Sequence, residues 1–212
     1  GSGDDRLIAG SAGGTLKGGS GNDFLDASSA SAETILEGGD GDDQLIGGSA
    51  ADTLLGGKGD DRLDGGAGAD LIDGGRGLDA LSGADGADTY AFDNTYGVDR
   101  YSDLQAGSTL DFSNVNQDLE VRISDRVIEV KRDGDHQLRL MRGDVSEIIL
   151  GTGDDRVDIS AFPESTIKIT DTGGDDTYYA RMGNPNAALG AGHIEIDDTA
   201  GARDELVVEQ RF

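Results

Sequence analysis

Cysteine is absent from this chain of 212 residues, and only two prolines, Pro163 and Pro185, are present. Without cysteine there are no disulfides and no thiolate zinc sites, and thiol usage gives no indication of the compartment. The chain has 36 glycines, but a collagen-like protein would also need abundant proline and a three-residue repeat. No apolar run approaches the ~18 residues of a transmembrane helix, so we expect no membrane span.

Positive charge and aromatic residues are also scarce. Lys and Arg total 17 against 43 Asp and Glu, which gives a formal net charge of -26. Such a chain repels nucleic acid and anionic lipid, so neither is an expected partner. Aromatic residues make up only 5% of the chain, and acidic sequences with few aromatics are often disordered. Here the acidic residues recur at fixed places in a repeat, which instead favours an ordered chain neutralised by divalent cations.

Five consecutive nine-residue units occupy 38–82 with no insertion between them. In order, they read GGDGDDQLI, GGSAADTLL, GGKGDDRLD, GGAGADLID and GGRGLDALS. Each unit begins with a glycine pair and has an aspartate at its sixth place and an aliphatic residue at its eighth. A further full unit occupies 18–26, an eleven-residue unit occupies 27–37, and a near match occupies 83–91.

The residue types predict the shape of each unit. Six residues rich in Gly and Asp form a turn, because glycine tolerates positive φ and lets backbone carbonyls approach one another. The other three residues form a short strand whose middle side chain points inward. Two units then complete one coil of 18 residues, so alternate units lie above one another. The predicted interior is a stack of eighth-place residues: Leu7, Leu16, Leu25, Leu36, Leu45, Leu54, Leu63, Ile72, Leu81 and Tyr90.

These units resemble the repeats-in-toxin (RTX) family of hemolysin-type calcium-binding repeats, which form a right-handed parallel β-roll. The resemblance is strong over 18–91 and weaker toward the C-terminus. It implies an all-β protein in which calcium lies between the turns of successive coils, bound by sixth-place aspartates and backbone carbonyls. The pairs that it implies for the central coils are Asp43 with Asp61, Asp61 with Asp79, Asp52 with Asp70, and Asp70 with Asp88.

Sorting the units by edge of the coil divides the candidate metal ligands into two rows. The first edge carries Asp5, Asp23, Asp43, Asp61, Asp79 and Asp99. The second edge carries Asp52, Asp70 and Asp88. It has Gly14 and Thr34 in the aspartate place of its first two coils, where we therefore expect no side-chain ligand. The candidate glycines of the turns are Gly19, Gly21, Gly39, Gly41, Gly48, Gly57, Gly59, Gly66, Gly68, Gly75, Gly77 and Gly86.

Calcium suits these turns because it is a hard cation that takes roughly six to eight oxygen ligands. Magnesium fits poorly, since it demands a tight octahedron and retains its waters. Adjacent aspartates predict five sites on the first edge, two on the second and two near the C-terminus. About nine such ions would reduce the net charge to about -8. Without them, carboxylates would be stacked about 5 Å apart, so we expect a largely unfolded apo state.

The remaining residues predict a cap and further coils. Apolar and polar residues alternate over 119–141, with a turn signal at Asp133-Gly134, so residues 92–147 are expected to form capping strands and antiparallel hairpins. A cap would cover the last hydrophobic layer and strand edges of the roll. Residues 148–212 are expected to resume the coil in degenerate form. Their candidate ligands are Asp155, Asp176 and Asp204.

The function that this pattern favours is a non-catalytic module that folds on binding calcium outside the cell. Extracellular calcium modules bind weakly, with dissociation constants on the order of 10⁻⁴ to 10⁻³ M. The resemblance implies a secreted or surface protein of bacterial type I secretion, and a start inside a repeat indicates a piece of a larger chain. No secretion signal is evident at Phe212. His136 and His193 are far apart in sequence, and no HExxH motif is present, so we expect no enzyme.

Two alternatives remain open, and a basic cluster bears on the first. Six of the 17 basic residues fall within 21 positions. A solvated hairpin face accounts for them, but they would also suit an acidic polysaccharide, because guanidinium groups match carboxylates. RTX-type modules attached to alginate epimerases offer a parallel for such an accessory module. The second alternative is a structural segment of a surface adhesin. The basic residues are Arg122, Arg126, Lys131, Arg132, Arg139 and Arg142.

Overall fold

The computed structural model describes residues 1–95, 97, 99–102, 107–124, 127–132, 136–141, 145–160, 166–182, 194–198 and 204–210. Over these residues the secondary structure is β-strand and turn, without helix, which confirms the predicted all-β class. A search of the same residues for a helix able to cross a membrane finds none. The chain forms two compact units, Gly1–Thr109 and Leu110–Phe212. The finer division at residues 91 and 147 stays a prediction.

The first unit consists of two parallel sheets whose strands alternate along the chain. Its strands are β1 (Arg6–Ile8), β2 (Gly14–Ser20), β3 (Phe24–Asp26), β4 (Thr34–Asp40), β5 (Gln44–Ile46), β6 (Thr53–Lys58), β7 (Arg62–Asp64), β8 (Leu71–Arg76), β9 (Ala80–Ser82), β10 (Thr89–Asp93) and β11 (Arg100–Ser102). The odd-numbered strands form one sheet in the order β1-β3-β5-β7-β9-β11, and the even-numbered strands follow in order in the other. Each coil therefore contributes one strand to each sheet, as in a parallel β-roll.

Equivalent eighth-place residues lie opposite one another in neighbouring strands. Leu45 pairs with Leu63 at a spacing of 18 residues, which confirms the predicted coil of two units. Leu25 pairs with Leu45 at a spacing of 20 residues, because the eleven-residue unit 27–37 adds two residues to that coil. The insertion is absorbed in a turn, so the register of the stack is unchanged.

The eighth-place residues form the core of this unit. From Leu25 to Tyr90, each of them is at most 2% exposed. Leu7 and Leu16 are half-buried, because the first coil has a neighbouring coil on one side only. Burying one leucine contributes roughly 1.5–3 kcal/mol, so this stack is a main source of apolar stabilisation. The flanking Arg62 is exposed, as the alternation of a strand requires.

In the second unit, the coil resumes at a longer and less regular spacing. Its strands are β12 (Ser108–Asn114), which begins at the end of the first unit, β13 (Leu119–Ile123), β14 (Val127–Arg132), β15 (His136–Met141), β16 (Val145–Ile149), β17 (Arg156–Ile159), β18 (Ile167–Asp171), β19 (Thr177–Met182), β20 (Ile194–Asp198) and β21 (Glu205–Gln210). β16, β18 and β20 pair in parallel, and so do β17, β19 and β21. The expected degenerate coils are therefore present.

The predicted hairpins are also present. β14 pairs in antiparallel fashion with both β13 and β15. β13 also pairs in parallel with β17, so the hairpins extend a sheet of this unit in the order β15-β14-β13-β17-β19-β21. The predicted turn at Asp133-Gly134 lies outside the described residues. That these hairpins cover the end of the roll stays a prediction.

Candidate metal centre

The sixth-place aspartates of the first edge form a ladder from coil to coil. The backbone N–H of Asp43 donates to Asp61 Oδ1 at 2.7 Å, and that of Asp61 donates to Asp79 Oδ1 at 2.8 Å. Each carboxylate is therefore fixed by the backbone of the coil that precedes it, and successive carboxylates are stacked. The same bond joins the other neighbouring pairs of this edge: Asp5 to Asp23, Asp23 to Asp43, and Asp79 to Asp99.

A shorter ladder of the same kind follows the second edge. The N–H of Asp52 donates to Asp70 Oδ1 at 2.7 Å, and that of Asp70 donates to Asp88 Oδ1 at 3.0 Å. The buried Thr34 donates its N–H to Asp52 Oδ1 at 2.7 Å but contributes no carboxylate. The carboxylates of this edge therefore begin at Asp52, so the two edges differ in length as the sequence indicates.

The second unit contains a third ladder. The N–H of Leu119 donates to Asp155 Oδ1 at 2.8 Å, and that of Asp155 donates to Asp176 Oδ1 at 2.6 Å. The N–H of Asp176 in turn donates to Asp204 Oδ1 at 3.0 Å. The three aspartates predicted from degenerate coils thus occupy the same structural place as those of the regular repeat.

In eight of the twelve aspartates, the second carboxylate oxygen is buried without a hydrogen-bond partner. Leaving a buried anionic oxygen without a donor costs about 1–3 kcal/mol or more. A proton or a cation would remove that cost, and an arrangement that offers only oxygen atoms suits a hard cation. Over the described residues, the Oδ2 atoms concerned are those of Asp23, Asp43, Asp61, Asp70, Asp79, Asp88, Asp155 and Asp176.

The first glycine of each unit leaves room for that oxygen. A Cβ added at Gly56 would lie 2.5 Å from Asp61 Oδ2 and 2.5 Å from the carbonyl oxygen of Gly74 in the next coil. The gap beside a first-place glycine is therefore lined by a carboxylate and by a backbone carbonyl. The sequence analysis missed these glycines, although the recurring pair is itself the signal. A Cβ would also meet the aspartate Oδ2 of the same unit at Gly18, Gly38, Gly65, Gly74 and Gly83.

The second and fourth glycines are required for a different reason. Gly59 has a φ of 125°, and a Cβ there would overlap the carbonyl oxygen of Gly41 in the preceding coil. Of the glycines predicted to line the turns, Gly48 alone has no positive φ. A Cβ at Gly48 would instead lie 2.6 Å from the carbonyl oxygen of Ala30. The predicted glycines with positive φ are Gly19, Gly21, Gly39, Gly41, Gly57, Gly59, Gly66, Gly68, Gly75, Gly77 and Gly86.

A family model for the RTX calcium-binding nonapeptide repeat matches residues 1–30, 34–63 and 55–90. Residues 1–90 therefore match the RTX calcium-binding nonapeptide repeat, as the sequence indicates. The matched residues contain the whole of the second-edge ladder and all of the first-edge ladder except Asp99. The third ladder lies outside them. Searches of the curated proteins and of the solved structures found no match to the chain.

Burial raises the pKa of several sixth-place aspartates. The pKa of Asp61 rises to about 7, first because the group is desolvated and then because the carboxylates of Asp79 and Asp43 lie on either side. Burial followed by the neighbouring Asp88 and Asp52 raises the pKa of Asp70 to about 6. In the second unit, burial raises the pKa of Asp155 to about 7 and that of Asp176 to about 8. Burial likewise raises the pKa of Asp43, Asp79, Asp88 and Asp99.

A second, exposed ladder joins the fifth-place residues of the first edge. The N–H of Asp60 donates to Asp42 Oδ1 at 2.9 Å, and the N–H of Leu78 donates to Asp60 Oδ1 at 2.9 Å. These bonds run in the opposite direction to those of the sixth place, from each coil back to the preceding one. Consecutive aspartates in the RTX repeat therefore have separate structural roles. The second edge has alanine at the corresponding places of its RTX units: Ala51, Ala69 and Ala87.

Acidic residues surround the basic residues of the hairpins. Arg122 donates to Glu120 at 2.5 Å, and its neighbours in register are Asp158 on β17 and Glu129 on β14. Lys131 on β14 lies in register with Glu120 on β13. Charges of opposite sign thus alternate across these strands, which accounts for Arg122 and Lys131 without an anionic ligand.

The rest of the predicted basic cluster is not on that face or is not described. Arg132 is only 6% exposed, so it lies on the buried side of the strand that carries Lys131. Arg126 and Arg142 lie outside the described residues, and for Arg139 the description is limited to its backbone in β15. For His136, too, only the backbone in β15 is described. His193 lies outside the described residues.

Tyrosines at the eighth place reach back to the first place of their own unit. Tyr90 accepts a hydrogen bond from the N–H of Gly83 at 2.8 Å. Tyr178 donates to Asp171 Oδ2 at 2.9 Å, and Asp171 stands at the first place of its unit, where an RTX repeat has glycine. The sequence analysis missed Asp171. Counting five residues back from Asp176 would have found it.

Proposed function

We propose that this chain is a calcium-dependent folding module of a secreted bacterial protein and has no catalytic activity of its own. The observation that supports this most strongly is the stack of sixth-place carboxylates, in which eight buried aspartates are fixed through Oδ1 and have an Oδ2 without a donor. A protein interior retains stacked anionic groups only when a counter-charge accompanies them. Calcium supplies that charge and accepts oxygen ligands alone.

The ions would lie between successive coils. On each edge, every pair of adjacent aspartates would share one ion, and the first-place glycines would leave the room for it. The five pairs of the first edge, two of the second and two of the third ladder again give about nine ions. The ligands that we propose are the twelve predicted aspartates together with backbone carbonyl oxygens of the glycine-rich turns.

Binding on this scale would dominate the stability of the chain. At a calcium concentration ten times the dissociation constant, each independent site contributes about 1.4 kcal/mol. About nine sites would contribute about 13 kcal/mol, comparable with the entire stability of a domain. The chain would therefore be unfolded where calcium is scarce and folded outside the cell, where weak sites suffice. This dependence suits a protein that is exported before it folds.

Calorimetric titration of the full chain with Ca²⁺, together with circular dichroism, tests this proposal. We expect a β-rich spectrum with calcium, a loss of most β signal after chelation, and no recovery with Mg²⁺ at the same concentration. Asp61→Asn should remove the two sites that Asp61 shares with Asp43 and Asp79. Asp60→Asn is the matched control, since an asparagine already fills the fifth place at Asn22 and accepts the same backbone bond. A spectrum that stays β-rich in chelator would refute calcium-dependent folding.

The structural role of the aspartates also argues against catalysis. Pairs such as Asp42-Asp43 resemble an acid–base dyad in sequence, but each member is engaged by a different backbone ladder. Polysaccharide binding at the hairpins, the alternative for the basic residues, has a weaker basis, because Arg122 and Lys131 have acidic neighbours in register. A pull-down with alginate would test it directly.

A further inference from the structure

Three carboxylates converge in the second unit, outside the residues that match the RTX repeat. They belong to Asp171, Asp176 and Asp204, and one oxygen from each lies within 4.8 Å of the others. Asp171 and Asp176 are 0% and 1% exposed, and Asp204 is half-buried. Among the described residues, these three form the one group of potential metal-ligand side chains that lie this close together.

Neighbouring groups hold these carboxylates in place. Asp171 accepts the N–H of Gly173 and the hydroxyl of Tyr178, both at 2.9 Å. Asp204 Oδ1 accepts the N–H of Asp176 at 3.0 Å. These donors are two backbone amides and one tyrosine hydroxyl.

One carboxylate oxygen of the cluster is left without a partner. Asp176 Oδ1 accepts the N–H of Asp155, but Asp176 Oδ2 is buried and accepts no hydrogen bond from any described residue. A buried anionic oxygen beside two further carboxylates is strongly unfavourable unless a positive charge lies among them. The cluster and the unpartnered oxygen thus point separately to a bound cation.

We propose that Asp171 joins Asp176 and Asp204 to form a high-affinity site for a hard cation, with Ca²⁺ as the physiological ion. This proposal rests on the proposed calcium-binding function, because it adds a third carboxylate to the site already counted between Asp176 and Asp204. The site differs from those of the RTX repeats in its ligands. A repeat site has two sixth-place carboxylates beside a first-place glycine, whereas here the first place supplies a third carboxylate. The added negative charge favours tighter binding, because the number of charged ligands tunes the affinity of calcium sites. It also favours trivalent ions over divalent ones.

Titration of the full chain with Tb³⁺, with emission excited through tyrosine, tests the site. The hydroxyl of Tyr178 bonds to Asp171, so its ring lies close enough to transfer energy to the ion. We expect a first ion that binds more tightly than the rest and that Ca²⁺ displaces. Asp171→Asn should weaken this first phase by on the order of tenfold or more, since it removes one of three charges. Asp175→Asn is the matched control, because Asp175 is exposed and makes the same change of charge one residue from Asp176.

Three further variants keep the result interpretable. Asp171→Gly restores the first-place residue of an RTX repeat, so it should remain β-rich with calcium and lose the tight phase. Tyr178→Phe should remove most of the emission of the first ion. Combined Asp61→Asn and Asp70→Asn should leave the tight phase intact, which separates this site from the proposed repeat sites. A tight phase that Asp171→Asn leaves unchanged, or that Asp175→Asn weakens equally, would overturn the proposal, as would the absence of a tight phase.

Discussion

At the scale of single residues, the glycine pair combines two separate requirements. The first glycine gives space to a carboxylate oxygen, and the second adopts a backbone conformation that other residues avoid. Two units depart from this rule, one of them because Gly48 at its second place has no positive φ. Ala84 stands at the second place of the unit 83–91 and has a φ of 61°, the one described non-glycine residue with positive φ. An L-residue in that region costs roughly 1–2 kcal/mol.

Ala84→Gly should therefore stabilise the calcium-bound protein. Relief of the strain is partly offset by the greater freedom of glycine in the unfolded chain, which leaves a gain of about 0.5–1 kcal/mol. Urea unfolding in saturating calcium measures the change. Ala69→Gly is the control, because Ala69 is exposed and lacks positive φ, and it should lose about 0.4–1 kcal/mol. A lower unfolding midpoint for Ala84→Gly would contradict the role assigned to strain.

Much at this scale follows from sequence, because the pattern is local and repeated. The period of nine, the inward leucines and the sixth-place aspartates can each be found within one unit. The partner of a residue such as Asp171 cannot, since Asp204 belongs to the next coil and is distant in sequence. The direction of the ladders is equally hidden, because it depends on how one coil is placed on the next. The basic residues show the same limit, as Arg132 and Lys131 are adjacent in sequence but lie on opposite faces.

At the scale of elements, the ladders would make each internal aspartate a member of two of the proposed calcium sites and each terminal aspartate a member of one. Asp70 lies between Asp52 and Asp88 on the second edge, and Asp88 ends the ladder there. The two residues are otherwise alike, since both are buried and both have an Oδ2 without a partner. Comparing the number of calcium ions lost on substitution of each residue therefore tests whether adjacent aspartates share an ion.

Asp70→Asn is expected to reduce the number of bound calcium ions by two, whereas Asp88→Asn should reduce it by one. The physical reason is that an ion between coils needs a carboxylate from each side. Calorimetric stoichiometry at saturating calcium gives the count, with circular dichroism to show that both variants are folded. Equal losses from the two variants would mean that each aspartate binds its own ion.

For the whole molecule, the acidic composition links stability to pH as well as to calcium. Several buried aspartates have a pKa above the ordinary 3.8: about 7 for Asp61 and Asp155, and about 6 for Asp70 and Asp79. A folded-state pKa above the unfolded value means that the folded chain binds more protons between these values. Its stability without metal therefore falls as pH rises from about 4 to about 7.

In metal-free buffer, we expect the β content to be higher near pH 4.5 than near pH 7.5, by the direction of these shifts. Saturating calcium should remove or reverse the trend, because it replaces the protons that the buried carboxylates otherwise need. Circular dichroism spectra at both values of pH, with and without calcium, provide the measurement. A β content that rises with pH in the absence of calcium would show that the buried aspartates do not govern stability.

The buried ladder also has a polarity. In every hydrogen bond between sixth-place residues, the coil nearer the N-terminus supplies the backbone N–H donor. The coil nearer the C-terminus supplies the carboxylate acceptor. The buried carboxylate of each bond is thus supplied by chain that follows the donor, whereas the exposed fifth-place bonds run the other way. Growth of the buried ladder would accordingly proceed most readily from its C-terminal end, with each added coil finding a carboxylate acceptor already in place. A chain that arrives N-terminus first would form each of these bonds only after the next coil has arrived.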